Sequence, residues 1–332
     1  MAAISLGNYT QPGENAGEGT VDAIELFLQK YGGEVAESYK ETLVVMPRVR
    51  VRTLRGGKSA TFGAVGNATA GYHTAGTRFD EDAQLSEIDI GERVISLDRP
   101  MFHSTFIDSW EEMVNHYDVR GPVTRSQGHA LGKLTEQNLM ALLARGGDAT
   151  TGAITDQPGG NDMVYANAGT NGADYVQAIE DQVQYWDEND VPQEGRFGCV
   201  PPAQYRLLVD QTDFHSIDLG NSGNGSLMEG SIGRVRGVTI LKSNLVPSTD
   251  TSGEATPSYA GTGKTNDYRV DCSDCIGVFG TPRSLGVVSL MGVKIETQKD
   301  IMLGGTIFKA SKAIGANILR ESDCGVLRTA AI

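Results

Sequence analysis

Cysteine is scarce in this chain of 332 residues: the four present are Cys199, Cys272, Cys275 and Cys324, too few for a disulfide framework. Cys272-Ser273-Asp274-Cys275 has the spacing of half a zinc site, but no second cysteine pair accompanies it. His73, His103, His116, His129 and His215 offer no two at ligand spacing. The pair reads as that half site or as two buried thiols beside a strand. Long apolar runs are also lacking. Hydrophobic residues make up 39% of the chain, and no segment reaches the ~20 residues that span a bilayer. Met1–Gly19 is polar and glycine-rich, without a basic stretch leading into an apolar one, which argues against a secretory signal and for a product made and kept in a cytoplasm. Positive charge is in deficit, with 28 Lys and Arg against 42 Asp and Glu and a net charge of −14. Neutralising the phosphates of duplex DNA needs a basic face, so composition argues against that activity. Acidity also serves solubility.

Catalytic signatures are missing too. Gly263-Lys264-Thr265 ends like a phosphate loop, but Ser258 stands where the first glycine is required, and a strand rather than a helix is predicted to follow. No Gly-x-Gly-x-x-Gly opens a helix after a strand, and no Gly-x-Ser-x-Gly elbow is present. Neither an enzyme site nor a cofactor is predicted.

What is there begins with a glycine-rich arm over residues 1–20, followed by a helix over Val21–Lys40 with Thr20 as its cap. Ile24, Phe27, Leu28, Tyr31, Val35 and Tyr39 recur on one stripe. Gly32-Gly33 interrupts it, so either the helix breaks there or a neighbouring backbone comes too close for a side chain. The period then falls to two. Arg48-Val49-Arg50-Val51-Arg52 alternates as a strand with one polar face. Further strands are predicted at Ser59–Val65 and Glu87–Leu97, joined through the polar stretch Gly66–Asp82. Each arm of ~20 residues can reach about 65 Å, and a ribbon of that kind is marginal alone. It must lie on something, and a neighbouring subunit is the natural support.

Helical spacing returns at Asp108–Tyr117 and again at Pro122–Ala144, a rod ended by Gly146-Gly147. Residues 148–171 read as a long loop. Asn171 caps a helix with the stripe Val176, Ile179, Val183 and Trp186. A buried strand at Phe197–Val200 precedes a helix from Pro201-Pro202 that carries Tyr205, Leu208 and Val209. Strands follow at Val235–Leu241, Tyr268–Val270, Cys275–Phe279, Leu285–Glu296, Thr306–Ala313 and Gly315–Leu319, with a low-complexity loop at Ser248–Asn266.

Three segments carry a resemblance: Gly32-Gly33-Glu34-Val35, Gly57-Lys58-Ser59-Ala60-Thr61-Phe62, and Asn115-His116-Tyr117-Asp118-Val119-Arg120. In that order and spacing the chain resembles the major capsid proteins of T7-like short-tailed phages. The likeness runs through residues 21–145 and weakens afterwards, and the loops at 148–171 and 248–266 depart from it. Gly32, Gly33, Asn115, His116, Tyr117, Asp118 and Arg120 are its motif residues. It implies an α+β, HK97-like shell fold: an N-terminal arm with helix over 1–44, an extended β-loop over 45–98, and a peripheral domain over 99–171 with its spine helix near 122–145. An axial domain over 172–295 and C-terminal strands over 296–332 that return to the peripheral domain complete it.

The function implied is self-assembly into hexamers and pentamers of an icosahedral shell around a double-stranded DNA genome. Assembly would take place in the bacterial cytoplasm, with maturation from a procapsid. A portal protein at one vertex and, in some shells, a cement protein are the implied partners. Because only some twenty residues precede the first helix, the scaffold is expected to be a separate protein. An acidic wall suits a genome that must slide during filling. Arg48, Arg50 and Arg52 are candidates to meet a neighbour's Glu81 and Asp82, or else form a solvated strand face. Some shells of this fold carry lysine–asparagine cross-links, and Lys58 is the position to suspect if one occurs; otherwise it is a surface lysine. The rivals are a same-fold compartment shell that encloses enzymes and a β-rich adhesion or tail protein, against which the helices at 122–145 and 172–187 speak.

Overall fold

The computed structural model describes residues 23–65, 90–108, 110, 120–152, 157–210, 225–226, 231–253, 266–290, 292–300 and 302–330. In chain order the strands are β1 (Arg50–Thr53), β2 (Ser59–Val65), β3 (Ile90–Ser96), β4 (Met101–Asp108), β5 (Asn161–Val164), β6 (Phe197–Val200), β7 (Gly225–Ser226) and β8 (Ser231–Ile232). Then come β9 (Arg234–Val235), β10 (Val238–Lys242), β11 (Cys275–Gly280), β12 (Leu285–Ser289), β13 (Lys294–Asp300), β14 (Gly305–Lys312), β15 (Ile314–Ile318) and β16 (Gly325–Arg328). Helices run over Ala23–Thr42, Arg120–Gly147, Gly172–Glu188 and Pro202–Val209. The chain forms two compact units, each discontinuous in sequence.

One unit takes in the described parts of Met1–Leu43, Pro100–Lys133 and Met291–Ala313. Its first helix runs through Gly32-Gly33 without a break, and a Cβ at Gly33 would meet nothing within 4 Å. Neither reading of the glycine pair holds at Gly33. The close approach is elsewhere: a Cβ on Gly128 would lie 2.6 Å from the Val35 carbonyl oxygen, and one on Gly132 would lie 2.7 Å from Thr42 Cβ. Two glycines four apart on Arg120–Gly147 thus receive Ser38 and Thr42, four apart on Ala23–Thr42. The Ser38 hydroxyl donates to the Arg125 carbonyl at 2.8 Å across this seam. The unit's sheet is antiparallel in the order β13-β14-β4. One face buries Ile107, Phe308 and Ala310. Met101–Asp108 is a strand that the periodicity reading passes over.

The other unit takes in the described parts of Val44–Arg99, Leu134–Leu290 and Ile314–Ile332. Its six-stranded sheet has the order β5-β16-β11-β6-β10-β9, with β5–β16 and β6–β10 parallel and the other pairs antiparallel. Helices Gly172–Glu188 and Pro202–Val209 share its core through Tyr175, Ile179, Trp186, Tyr205 and Leu208. The Asn171 side chain accepts the Ala173 N–H at 3.1 Å, the expected cap. The buried stripe is Tyr175, Ala178, Ile179, Gln182 and Trp186, while Val176 and Val183 pack at its margin. Within Arg120–Gly147, Leu139 to Ala144 are all buried, so that stretch is enclosed all round rather than amphipathic. A second, three-stranded sheet has the order β1-β12-β15.

Several expectations are corrected. The loop at 148–171 contains β5, whose burial alternates over only four residues with Met163 inward, too brief a signal to find by period. Val235–Leu241 is a hairpin and not one strand: Arg236 (φ 48°) and Gly237 (φ 85°) make the two-residue reversal between β9 and β10. Tyr268–Val270 forms no strand. Leu285–Glu296 divides into β12 and β13, which belong to different units. Among the C-terminal strands, β14 pairs with β4 and β13, and β16 lies between β5 and β11 in the six-stranded sheet.

Candidate inter-subunit surfaces

The predicted two-armed β-excursion begins as an antiparallel pair, β2 with β3, in unbroken register from Ser59↔Ser96 to Val65↔Ile90. Its alternation sorts the faces. Ala60 and Ile95 turn inward onto Val288 and Leu319, whereas Thr61 and its cross-strand partner Val94 are exposed. Arg93, opposite Phe62, donates from Nη2 to Glu321 Oε1 at 2.5 Å and so ties the root of the hairpin to a buried carboxylate. Residues 66–89, with Glu81 and Asp82, lie outside the described residues, as do Asn115, His116, Tyr117 and Asp118. Arg120 opens its helix, and Gly32 and Gly33 lie within theirs.

β1 is an edge strand, parallel to β12, and all four of its residues are exposed. Its neighbouring arginines divide their work. Arg48 Nη1 donates to the Val44 carbonyl at 2.9 Å. Arg52 Nη1 donates to the Thr61 carbonyl at 2.7 Å, and its guanidinium stacks 5.2 Å from the Phe62 ring centre. Both are spent within the chain. Arg50 makes no ion pair or side-chain hydrogen bond among the described residues. It stands instead near two further arginines that sequence reasoning missed, Arg283 and Arg320. Burial, then the charge of Arg283, and to a smaller extent that of Arg50, hold the Arg320 guanidinium below its usual pKa. Asp323, fully buried, opposes this; it accepts from Thr281 Oγ1 at 2.5 Å and from Arg283 Nε at 3.3 Å. Arg93 and Arg283 thus reach the carboxylates of Glu321 and Asp323, and Arg50 lies close enough to Arg320 for its charge to be felt there. Nothing local in sequence joins residues 50, 283 and 320; the β1–β12–β15 pairing does. Lys58 is exposed at the foot of the hairpin, where its carbonyl accepts the Leu97 N–H at 2.7 Å.

The first unit has an open surface of a different kind. On the outer face of its sheet Phe102 is 66% exposed and Phe106 41%. Lys309 Nζ sits 5.8 Å from the Phe102 ring centre, and Glu296 bridges Lys294 and Lys309. At the β13–β14 turn Met302 is 94% exposed and Leu303 59%, while the Asp300 carboxylate accepts the N–H of Met302 at 2.9 Å. The alternation Phe102, Ser104, Phe106 was readable as a strand face. No group of three metal-binding side chains occurs among the described residues, and no helix among them is long and apolar enough to cross a membrane.

An extended hairpin, an edge strand and two exposed patches suit contacts between copies better than they suit catalysis. The family model for Gp10A-like major capsid proteins matches residues 62–328. The chain belongs to this family. It is 25% identical to the major capsid protein of Escherichia phage T7, in a match that covers 98% of this chain and 99% of that protein. Against the major capsid protein of Enterobacteria phage T3 it is 33% identical over 144 residues, which span 43% of this chain and 41% of the T3 protein. The capsid structure of cyanophage P-SCSP1u aligns with a TM-score of 0.71 at 31% identity, over 84% of this chain and 86% of that one. The fold is HK97-like, and the protein is a structural component of a phage capsid shell. The family role is structural.

Proposed function

We propose that this capsid protein forms the hexamers and pentamers of an icosahedral shell that encloses double-stranded DNA, built in the host cytoplasm on a separate scaffolding protein and around a portal at one vertex. The observation that carries the reading is the β2–β3 hairpin, anchored at its root by Ile95 and Arg93 and leaving its Thr61–Val94 face open. In this reading the β13-β14-β4 sheet belongs to the peripheral domain, whose spine is Arg120–Gly147, a helix with residues in both units. The six-stranded sheet belongs to the axial domain that gathers around the hexamer and pentamer axes.

Many individually modest contacts suit a shell, because each subunit has several neighbours and their contributions multiply. Arg50 is the contact residue we put forward, with Arg283 and Arg320 behind it and the acidic stretch around Glu81 and Asp82 of a neighbouring copy as counterpart. Arg48 and Arg52 recede to internal roles. Lys58 serves as an exposed position at the hairpin root.

The test is co-expression with neighbouring genes, sedimentation of large particles and negative-stain electron microscopy. Closed polyhedral particles support the reading; only small soluble species in the presence of a scaffold candidate would count against it. Arg50→Glu is expected to lower particle yield without changing the melting temperature of the unassembled subunit. An unchanged yield removes Arg50 from the contact and leaves the shell reading in place.

A further inference from the structure

Cys272 and Cys275 take no part in any surface described above. The Cys275 N–H donates to the Cys272 carbonyl at 3.2 Å, which closes a four-residue turn ahead of β11. Such a turn keeps its first and last Cα atoms within ~7 Å, and disulfides form across roughly 4.4–6.8 Å. The two thiols influence each other's ionisation, and Cys275 Sγ lies 3.6 Å from the Gly277 carbonyl oxygen. Cys272 is fully buried and Cys275 nearly so, at 5% exposure.

Three neighbours make this pair different from Cys199 and Cys324. Cys272's own S–H, and beyond it the backbone and the Arg328 guanidinium, hold the Cys275 thiol below its ordinary range. Burial pushes the thiols of Cys199 and Cys324 up instead. The β11–β16 ladder also slips between Cys275 and Gly277, so the strand end carrying Cys275 is less firmly paired than the rest. Nothing comparable adjoins the other two sulfurs: Cys199 is in regular register with Val278.

We propose that Cys272 and Cys275 form a reversible intramolecular disulfide that closes when the protein passes from a reducing to an oxidising environment. With a small-molecule disulfide as oxidant, the Cys275 thiolate attacks one sulfur, forms a mixed disulfide and expels a thiolate. Cys272, deprotonated, then attacks Cys275 Sγ and expels the second thiolate. Two protein thiols lose two electrons and two protons, and one small-molecule disulfide becomes two thiols. The closed turn would fasten its own contacts to the C-terminal strand, where Arg328 Nη1 donates to the Asp271 carbonyl at 2.6 Å and the Thr329 N–H to the Asp274 carbonyl at 3.0 Å.

The experiment treats the folded full chain with oxidised glutathione, quenches with acid, then denatures, alkylates and maps peptides by mass spectrometry. Two of the four cysteines are expected to escape alkylation, joined within one peptide as Cys272–Cys275. Cys272→Ser is expected to trap glutathione on Cys275, whereas Cys275→Ser traps none. Alkylation of all four thiols, or links through Cys199 or Cys324, would overturn the proposal. A variant-free measurement guards against misfolding: under native conditions Cys275 is expected to alkylate fastest of the four in the wild-type protein, and equal rates would also refute the idea.

Discussion

Glu136 accepts the backbone N–H of Val45 on Oε2 at 2.9 Å and that of Met46 on Oε1 at 3.1 Å. A fully buried carboxylate on Arg120–Gly147 thereby holds the start of the short 3-10 turn Met46–Arg48, from which β1 departs. Two amide donors that water cannot reach depend on it. Replacement by Ala leaves each unsatisfied at ~1–3 kcal/mol, so Glu136→Ala is expected to lower unfolding free energy in urea by roughly 2–6 kcal/mol. Gln keeps one carbonyl oxygen and should fall between. Burial outweighs the amide bonds and raises the Glu136 pKa. The folded state therefore keeps its proton to higher pH than the unfolded one. The associated stability is full below the ordinary carboxylate pKa and is lost as pH rises through the folded value. The wild-type advantage over Glu136→Gln should shrink across that window.

Two glycines on different helices should respond in opposite directions. Gly33→Ala adds a methyl group to open space and removes the helix penalty of glycine, a gain of up to ~1 kcal/mol. Gly128→Ala places its methyl 2.6 Å from a backbone oxygen, an overpacking cost of ~1–3 kcal/mol that exceeds the same propensity gain. Thermal melts of the two variants should move up and down respectively.

Lys312 is buried with its ammonium 3.9 Å from the Tyr39 ring centre. Desolvation, then the nearby charge of Lys40, pulls its pKa down to about 8. The folded state surrenders this proton before the unfolded state does. The cost of the charge is therefore complete below about pH 8 and is relieved as pH rises towards the lysine's ordinary 10.5. Stability of the wild type relative to Lys312→Met should climb across that interval; a flat difference would refute the assignment.

Arg328 is fully buried on β16, where its guanidinium reaches Asp148, Asp162 and the Asp271 carbonyl. Arg328→Met removes the cation from between two carboxylates, an expected loss of ~3–5 kcal/mol. Lysine has one ammonium where a planar fork spans three acceptors, so Arg328→Lys should recover little of it. Urea midpoints of both variants against wild type measure this.

Local period found much of this molecule. Ser59–Val65 was read to the residue, Phe197–Val200 likewise, and Asn171 caps as its side chain demands. Pairing across long separations was not legible. The parallel partners β1–β12, β5–β16 and β6–β10 leave no mark on either strand's own alternation, so the gathering of Arg50 with Arg283 and Arg320 was hidden. Arg48 and Arg52 looked equivalent to Arg50 because alternation fixes a face and says nothing about which carbonyl lies within reach. The glycine signal was read in the wrong helix: Gly128 and Gly132 sit in a polar stretch without a contrasting apolar stripe.

The position of β16 has a consequence for synthesis. It lies between β5 and β11, and is encoded after every other strand of its sheet. A nascent chain that has delivered everything through residue 324 still has β5 separated from β11 by an unfilled slot. The six-stranded sheet closes only when Gly325–Arg328 leaves the ribosome and Arg328 reaches its two aspartates.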